Sequence, residues 1–533
     1  MLKLANTFWL AVTAVGTALV YFAVRLSARR RYYRDLPKPP HSTFWGHLKL
    51  MGEYMDKIVP ANYLQAALAQ IKQDFNLPDV FYLDLWPFGP EFIVCCTPDA
   101  AALSTTVTPF PQSGVVEEFF ARSIGSTFIE STNGALWKEL HRMLAPGLTP
   151  SAVRSYHQLI VDEAKLFHDR LRQFAASGET FDMHSELGKY PFEVIWQVFF
   201  GERLNTQSKG SRLYEDSRRL NDVAGITMTA RNPITKWKAS REVKEIVKRI
   251  DAAVEERLRS RFTALGAEKS LPTRTTAGNL LDRMLLSSVQ NGSPLDEHLM
   301  KLVKENAKGF LVAGYGTTTD ASSYVFMLLG AFPEVLRKLR EEHDRMFDKD
   351  FDKTLELLRQ DPGRIKGLDY TTAVIYETMR FFPVGMVCRS PPPGMTSFEY
   401  NGKHYPLRDH QIAIVSYIMH YDSNNFDEPK EFKPERFLGA DAAHSRNAFR
   451  PFERGLRSCM GQTLAMDEMK VLLLMTVRWF DFELRDHNPV KEPRLGHTKL
   501  DTILGDHAFQ TVRFTAGPTG AVRMRVHPTS AAN

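Results

Sequence analysis

The segment FRPFERGLRSCMGQTLA, residues 449–465, places Cys459 between Arg457 and Gly461, where a glycine-containing loop meets the start of a predicted helix. The chain has four cysteines in all, at positions 95, 96, 388 and 459. Their number and spacing match neither a disulfide framework nor a zinc-binding pattern, so the other three are interpreted as buried structural thiols. The cysteine of this segment therefore needs a different chemical explanation.

Composition indicates one large globular domain. Hydrophobic residues make up 43% and charged residues 24% of the 533 residues, and no Pro/Gly/Ser-rich stretch divides the interior. We expect a catalytic domain over residues 49–533. The formal net charge of +6 is small for this length and lies partly near the N-terminus, so no nucleic-acid partner is indicated and a membrane surface is the better partner.

The leader predicts a membrane anchor. Residues 4–24, LANTFWLAVTAVGTALVYFAV, carry no charged side chain and as a helix would span about 30 Å, so residues 1–24 are interpreted as a transmembrane helix. A cleaved signal peptide is the alternative, but the run is long and lacks a small-residue cleavage site. A basic and proline-rich hinge over residues 25–48 follows, and its arginines place the remainder in the cytosol by the positive-inside rule. These arginines are Arg25, Arg29, Arg30, Arg31 and Arg34.

A second long helix is predicted from Ser293 to Pro333, with Ser293 as N-cap and Asp296 as its capping-box partner. A helix of this length, about 60 Å, would cross a large domain. Its centre, AGYGTTT at 313–319, is weakened by glycines and threonines, which predicts a local widening of the kind found at functional sites. The alternative is a small-residue crossing point between packed helices.

Two further motifs predict a buried ion-pair triad. YTTAVIYETMRFFP, residues 370–383, places Glu377 and Arg380 on one helical face, and FKPERFLG supplies Arg436. The two guanidinium groups could share the Glu377 carboxylate. A surface ion pair is the alternative for the isolated ExxR motif.

The order of these pieces resembles that of cytochrome P450 enzymes. The threonine-rich helix, ExxR, PERF and the cysteine loop follow one another as in that family, and FERGLRSCMG resembles its FxxGxRxCxG haem-binding signature at every position. The resemblance covers nearly the whole chain. It implies a mainly α fold with small β-sheets, an α+β cytochrome P450-like fold behind an N-terminal transmembrane helix.

The resemblance implies a haem-thiolate monooxygenase in the endoplasmic reticulum membrane, single-pass, with the catalytic domain facing the cytosol. One atom of dioxygen would enter a lipophilic substrate and the other would become water. No dinucleotide or flavin fingerprint follows a strand, so NADPH would act only indirectly, through NADPH–cytochrome P450 reductase. The cysteine loop looks like those of filamentous-fungal enzymes of secondary metabolism, so a bulky apolar intermediate of that metabolism is the expected substrate.

The resemblance also assigns residues to haem b. Cys459 would be the metal ligand, with its thiolate on the iron and the loop N–H groups and the following helix holding the sulfur ionised. Phe452 would shield the sulfur, Gly455 would permit a tight turn, and Gly461 would let the backbone approach the porphyrin. The expected contacts of the haem propionates are Arg457, Arg389, Trp137 and either His141 or Arg142 in WKELHRML.

The sequence departs from the family pattern at Gly316, where the family has an acidic residue. The neighbouring Thr317, with Thr318 beside it, remains a candidate catalytic hydroxyl that can hydrogen-bond dioxygen and relay a proton through water. Asp320, about one turn further on, is a candidate replacement for the acid. We expect haem binding and oxygen activation to be intact, with protons delivered by another route.

Substrate and partner contacts are less strongly encoded. Phe120, Val312, Ala313 and Val387 are expected to line the substrate pocket by analogy with the family, although core packing explains their apolar character equally well. Arg446, Arg450 and Arg454 could form a basic docking face for an acidic reductase. The C-terminal stretch 517–533 is predicted to be an exposed tail.

Other functions remain open on the sequence alone. A haem-thiolate isomerase or dehydratase would need neither dioxygen nor a reductase, and Gly316 favours it whereas Thr317 does not. A haem-binding sensor without catalysis is a second possibility. A cysteine-nucleophile hydrolase is a third, and it would need a histidine base close to Cys459 in space.

Overall fold

A computed structural model describes residues 2–273, 276–439 and 447–529, and helices make up most of this part of the chain. In chain order the α-helices are α1 Leu2–Tyr32, α2 Leu48–Asp56, α3 Leu64–Asp74, α4 Pro98–Ala102, α5 Gly114–Ser123, α6 Gly134–Leu144, α7 Pro150–Ser155, α8 His157–Ser177, α9 Met183–Leu187, α10 Lys189–Phe200, α11 Thr206–Lys209, α12 Arg212–Thr229, α13 Pro233–Gly266, α14 Leu280–Gln290, α15 Glu297–Ala331, α16 Pro333–Met346, α17 Phe351–Gln360, α18 Asp369–Phe381, α19 Ser416–His420, α20 Gln462–Leu474 and α21 Asp501–Leu504. A 3₁₀ turn at Pro434–Phe437 contains the PERF motif.

The strands form small sheets. They are β1 Val80–Asp84, β2 Glu91–Cys95, β3 Phe181–Asp182, β4 Val387–Arg389, β5 Ser397–Tyr400, β6 Lys403–Pro406, β7 Gln411–Ile414, β8 Phe480–Leu484, β9 Gln510–Val512, β10 Ala516–Pro518 and β11 Arg523–Pro528. One sheet has the order β1-β2-β7-β4, another β3-β11-β8, and β5-β6 and β9-β10 are two-stranded. Only the β2–β7 pair among these is parallel. The predicted fold class, mainly α with small sheets, is confirmed.

Helix α15 runs through the core and packs against α10, α13 and α18. Its predicted start at Ser293 is wrong, because the Ser293 amide still donates to the Ser288 carbonyl (2.8 Å) and so completes the end of α14. Asp296 is the N-cap instead, and its carboxylate accepts from the Leu299 amide (2.8 Å).

The predicted widening of α15 is also wrong, since the helix is continuous from Glu297 to Ala331. The Thr317 hydroxyl donates to the Ala313 carbonyl (2.8 Å), a bond that adds to the helical ladder without interrupting it. Gly314 is needed for packing: a Cβ there would lie 2.5 Å from Ile195 Cγ1 of α10. The centre of the helix is thus a small-residue crossing point with α10.

Helix α1 is long and apolar enough to cross a membrane. An 18-residue window within Thr7–Tyr32, near the N-terminus, reaches a mean hydropathy of 1.8. The helix continues through Arg29 and Arg30, which form ion pairs with Glu91 and Asp84 of the β1–β2 hairpin. Two of the predicted membrane-proximal arginines are therefore bound to the rest of the protein, whereas Arg25, Arg31 and Arg34 are exposed.

The C-terminal stretch is part of the core, so its prediction as an exposed tail is wrong for residues 517–529. Strand β11 pairs antiparallel with β8 and β3. Met524 and Val526 are fully buried, because alternate side chains of the strand face the core. The remaining residues of the predicted tail, 530–533, lie outside the described part of the chain.

The structure brings Glu377, Arg380 and Arg436 together in the interior. Arg380 donates from Nε to Glu377 Oε2 (2.7 Å) and from Nη2 to Oε1 (2.9 Å), and Arg436 Nε donates to Oε1 (3.1 Å). The side chains of Glu377 and Arg380 have no exposed surface. The triad thus connects α18 to the PERF turn by charge-assisted hydrogen bonds in a water-excluded setting.

We predict that Glu377→Gln lowers the free energy of unfolding by about 3–5 kcal/mol, because it leaves the fully buried Arg380 guanidinium without the carboxylate that it binds. Chemical denaturation of the detergent-solubilised protein measures this loss. The matched control is Glu334→Gln, which removes a Glu–Arg pair of the same spacing from the surface, where Arg337 remains hydrated. Equal midpoints for the two variants would contradict the stabilising role of the triad.

Candidate active site

The cysteine loop is held by its own backbone. The Cys459 amide donates to the Phe452 carbonyl (2.9 Å) and the Ser458 amide to the Gly455 carbonyl (3.1 Å). Gly455 has φ +84°, and a Cβ there would lie 2.0 Å from the Thr105 carbonyl oxygen. A glycine is therefore required both for the turn and for the close approach of the loop to residue 105.

The Cys459 thiol is accessible at the end of this loop, just before α20. The surrounding protein still desolvates it, and this burial raises the pKa of the thiol to about 11. The amide N–H groups of Gly461 and Gln462 approach the sulfur and act in the opposite direction. Desolvation outweighs these groups when the protein's own atoms act alone. The ionised sulfur stays a prediction for a metal-bound site, where the cation favours the thiolate.

Arg457 and Arg389 lie in one buried polar cluster beside the loop. Arg457 Nη2 donates to the Thr132 carbonyl (2.6 Å) and to Asn133 Oδ1 (2.7 Å), and Arg389 Nη1 donates to Gln112 Oε1 (2.8 Å). Burial lowers the pKa of both guanidinium groups, and the positive charge of Arg389 contributes to lowering that of Arg457 to about 10.

One nitrogen of this cluster lacks a partner. Arg457 Nη1 is buried and has no hydrogen-bond partner among the described residues. A buried donor without an acceptor is unfavourable, and a carboxylate placed at Nη1 would satisfy it. The cluster therefore fits an anionic group of the kind that a haem propionate supplies.

Trp137 and His141 extend the same cluster from helix α6. Trp137 is buried, and the Arg457 guanidinium lies 4.8 Å from its ring centroid. The ring centroids of His141 and Trp137 are 4.9 Å apart, whereas Arg142 is exposed. Of the two residues that the sequence left open, His141 is thus the one on the side of Trp137 and Arg457.

Helix α15 contributes an open face at its centre. Ala313 is exposed and Thr317, one turn later, is partly exposed, although most of the residues between and around them are buried. Val312 and Thr318 are buried by packing, with 4% and 3% exposure. The structure therefore places Thr317 and Ala313 at an internal opening, and it does not place Val312 or Thr318 there.

An aromatic cluster lies beside α15, where a Cβ at Gly309 would be 2.1 Å from the Phe128 ring. Phe120 lies 5.4 Å from Phe128 and stacks on Phe514, with ring centroids 6.2 Å apart and an interplanar angle of 8°. Val387 of β4 is partly buried at the sheet edge. Sequence reasoning missed Phe514, which stands in the loop between β9 and β10 with no motif around it, and also missed Asn133 and Gln112.

Asp320 does not take the predicted position beside Thr317. Its carboxylate is fully buried and binds His184 Nε2 (2.8 Å) and the Thr515 hydroxyl (2.5 Å). No hydrogen bond joins it to Thr317 in the described part of the chain. Any role of Asp320 must therefore act through its partners.

The predicted docking face is wrong for Arg450. Arg450 is 3% exposed, pairs with Glu453 and donates to Thr105 Oγ1 (2.8 Å). Arg454 is partly buried and donates to the Phe449 carbonyl (3.1 Å), and Arg446 lies outside the described residues. Arg450 stabilises the cysteine loop and is not available to a partner.

Comparison with known proteins identifies the family. The cytochrome P450 family model matches residues 83–502. Cytochrome P450 monooxygenase acrF of Aspergillus aculeatus is 30% identical over 491 residues, 87% of this chain and 97% of that protein. Cytochrome P450 monooxygenase ptmJ of Penicillium ochrochloron is 30% identical over 475 residues, 88% of each chain, and polC of Polytolypa hystricis, also a cytochrome P450 monooxygenase, is 26% identical over 533 residues, 97% of this chain and 94% of its own.

The chain belongs to the cytochrome P450 family and is an enzyme of its monooxygenase class. The family carries a haem whose iron is bound by a cysteine thiolate. Cys459 stands at the matching position of the family signature.

Replacement of Gly455 tests the close approach of the cysteine loop. We expect Gly455→Ala to destabilise the protein strongly, because it adds backbone strain of about 1–3 kcal/mol and a contact with the Thr105 carbonyl oxygen. Gly520→Ala is the matched control, since Gly520 has φ +74° with no atom near its Cβ position and so carries strain alone. Thermal unfolding should show the larger loss for Gly455→Ala, and equal losses would mean that the close approach has no energetic effect.

Proposed function

We propose that this chain is a membrane-anchored haem-thiolate monooxygenase that inserts one atom of dioxygen into a lipophilic substrate, with electrons from NADPH through NADPH–cytochrome P450 reductase. The observation that carries the proposal is the accessible Cys459 thiol near the partly buried Arg457 guanidinium. Its Nη1 is buried and has no hydrogen-bond partner among the described residues. This pair matches a cofactor with a metal centre and carboxylates at its edge.

The residues at the site fit haem b in their donor chemistry. Cys459 would be the iron ligand, and Arg457 and Arg389, with Trp137 and His141, would bind the propionates. Gly461 leaves room beside the sulfur, because a Cβ there would meet only Cys459 Sγ, at 3.9 Å. When bound, a thiolate-ligated haem supplies dioxygen activation.

The protein would contribute orientation, water exclusion and protons. The Thr317 hydroxyl uses its hydrogen in a bond to the Ala313 carbonyl, so its oxygen lone pairs remain free to accept a hydrogen bond at the opening. Phe120, Phe128 and Phe514 would exclude water on one side and favour an apolar substrate. A bulky intermediate of secondary metabolism is the substrate class that we propose.

We propose the division of the chain into an anchor at residues 1–24, a hinge at 25–48 and a catalytic domain at 49–533. Helix α1 supports the anchor by length and apolar character. The proposed location is the endoplasmic reticulum membrane with the catalytic domain in the cytosol, which is supported by the exposed Arg25, Arg31 and Arg34 at the end of the apolar stretch.

The alternative chemistries make different demands. An isomerase or dehydratase would convert its substrate without dioxygen, NADPH or reductase, so omission of each from an assay with candidate lipophiles separates it from a monooxygenase. A cysteine hydrolase needs a histidine base, and no hydrogen bond from a histidine to the Cys459 thiol is present in the part of the chain that the structure describes.

The proposed function makes a prediction about the iron ligand. The dithionite-reduced protein with carbon monoxide should give the strongly red-shifted Soret band of a thiolate ligand, and Cys459→Ala should abolish it. Cys388→Ala is the matched control, because Cys388 is a buried thiol on β4 that should leave the band in place. An ordinary haem–carbonyl band in the folded parent would overturn the proposed ligand.

The second prediction concerns the propionate contacts. We expect Arg457→Met to release haem to a haem-scavenging globin about ten- to a hundredfold faster, since it removes charge-assisted hydrogen bonds to a carboxylate. Arg142→Met, on the exposed side of α6, serves as the control and should leave the rate unchanged. Identical rates for both variants would rule out Arg457 as a propionate contact.

A further inference from the structure

The side of α15 at Gly316 faces a hydroxyl group from a distant loop. A Cβ at Gly316 would lie 3.5 Å from Thr515 Oγ1 and 3.8 Å from Asn221 Nδ2. Thr515 follows Phe514, whose ring stacks on Phe120 at the proposed substrate opening. The polar group that borders the empty side-chain position at 316 therefore comes from the β9–β10 loop.

That hydroxyl is the inner end of a chain of hydrogen bonds. Thr515 Oγ1 donates to Asp320 Oδ2 (2.5 Å), and Asp320 Oδ1 lies 2.8 Å from His184 Nε2. The Asp320 side chain has no exposed surface, whereas that of His184 is 11% exposed. The chain of groups therefore leads from solvent, through a buried carboxylate, to the face of α15 that carries Gly316.

We propose that His184, Asp320 and Thr515 form a proton relay that takes over the role of the acid missing at position 316. The inference rests on the proposed monooxygenase function. It names three relay residues that lie outside the Thr317 position, on α9, α15 and the β9–β10 loop.

The hydrogen bonds around His184 permit a proton to pass from the ring to Asp320 and permit the ring to return to its starting state. Neutral His184 with its hydrogen on Nε2 donates to Asp320, and Arg513 Nη1 lies 3.2 Å from the same nitrogen. When solvent protonates Nδ1, the Nε2 hydrogen passes to Asp320 and leaves a neutral ring with hydrogen on Nδ1, whose Nε2 lone pair can accept from Arg513. Arg513 is itself held by Asp222, with Nε 3.4 Å from Oδ1, so it stays in place for this exchange.

The transfer balances over the whole reaction. The Thr515 hydroxyl turns, gives its hydrogen to the active site and takes the hydrogen of Asp320. The solvent proton taken up at His184 Nδ1 replaces the hydrogen that left Nε2, and exchange with solvent returns the ring to the Nε2–H tautomer. Two protons delivered in this way, with two electrons from NADPH through the reductase, convert dioxygen and substrate into oxygenated product and one water. Every relay residue then has its original hydrogens.

If the hydrogen bonds among His184, Asp320 and Thr515 were purely structural, they would only attach the β9–β10 loop to α15. The backbone folds closely around the carboxylate, since a Cβ at Gly517 would lie 2.5 Å from Asp320 Oδ1. A buried carboxylate is an unfavourable anchor, and well-packed apolar groups would hold the loop at least as well. The acid, the imidazole and the hydroxyl in series are therefore better explained by proton transfer.

The experiment uses the full-length holoenzyme with reductase and NADPH, and dioxygen as the probe. Thr515→Val, Asp320→Asn and His184→Gln are compared with Thr519→Val, which removes a hydroxyl from the same hairpin that binds only the Phe509 carbonyl (2.8 Å). The relay predicts that oxygen consumption falls about tenfold or more in the three relay variants. A loss of this size is within what one general acid–base group contributes. The solvent deuterium isotope effect should rise in them and stay unchanged in Thr519→Val.

The decisive test of the relay is a variant that restores an acid on α15. The Cβ position of Gly316 meets only ordinary contacts, so a side chain can start there without a clash at Cβ, and the carbonyl Soret band checks that Gly316→Asp folds. In the Thr515→Val background it should recover the rate and the normal isotope effect. Relay variants that consume oxygen at the parent rate, or a Gly316→Asp double variant that recovers nothing, would overturn the relay.

A readout independent of turnover tests the donor arrangement. In the diamagnetic ferrous–carbonyl form, ¹⁵N-histidine spectra report which ring nitrogen carries hydrogen, and the His184 signal is assigned by its loss in His184→Gln. The relay requires hydrogen on Nε2 in the neutral ring, and hydrogen on Nδ1 alone would contradict it.

The carbonyl Soret band of each variant separates the two proposals: a parent without the thiolate band refutes the monooxygenase and the relay with it, whereas a normal band with unaffected oxygen consumption refutes only the relay.

Discussion

The buried carboxylate of Glu377 is the interaction on which the active site depends. It fixes Arg380, whose Nη1 donates to the His420 carbonyl (2.7 Å), and His420 Nδ1 donates back to the Arg380 carbonyl (3.0 Å). His420 Nε2 then accepts from the Arg450 amide (3.1 Å), where the cysteine loop begins. Burial and the nearby Arg380 charge lower the pKa of His420 to about 3, so the ring stays neutral and can donate at one nitrogen while it accepts at the other. The ion-pair triad and the loop that carries Cys459 are thus connected by one continuous set of hydrogen bonds.

Local sequence was sufficient for the parts of the site that lie within one element or one loop. The Gly455 turn follows from the loop sequence, and the Glu377–Arg380 pair follows from helical spacing. The partners of Arg457 and Arg389 could not be predicted in the same way, because Asn133 and Gln112 reach them only when the start of α6 and the loop before α5 pack against them. Phe514 and Thr515 likewise reach the centre of α15 from about two hundred residues further along the chain. No pattern of residue types marks a contact that only tertiary packing creates.

Two wrong predictions, the widening of α15 and the exposed C-terminal tail, have the same physical cause, because packing outweighs local propensity in both segments. Glycines and threonines in the middle of α15 lower its intrinsic stability, yet the crossing with α10 requires a residue without Cβ at 314, and burial on both sides keeps the helix regular. The C-terminal stretch has the glycines and proline of a loose tail, yet its alternating Met524 and Val526 complete a sheet. In both segments long-range burial supplies more free energy than local preference removes.

Burial disfavours the charged forms of Cys459 and Arg457, and one ligand with both a metal cation and carboxylates would offset both effects. Burial favours the neutral thiol at Cys459 and weakens the charged form of Arg457, so without a bound group both side chains are less ionised than in water. A metal cation next to the sulfur would favour the thiolate, and carboxylates next to Arg457 would favour the guanidinium. Because these effects have opposite charge requirements, no simple anion or cation satisfies both, whereas a metal centre with carboxylates at its edge does. Binding of such a group would also stabilise the fold, since it removes two desolvation penalties that the protein alone must bear.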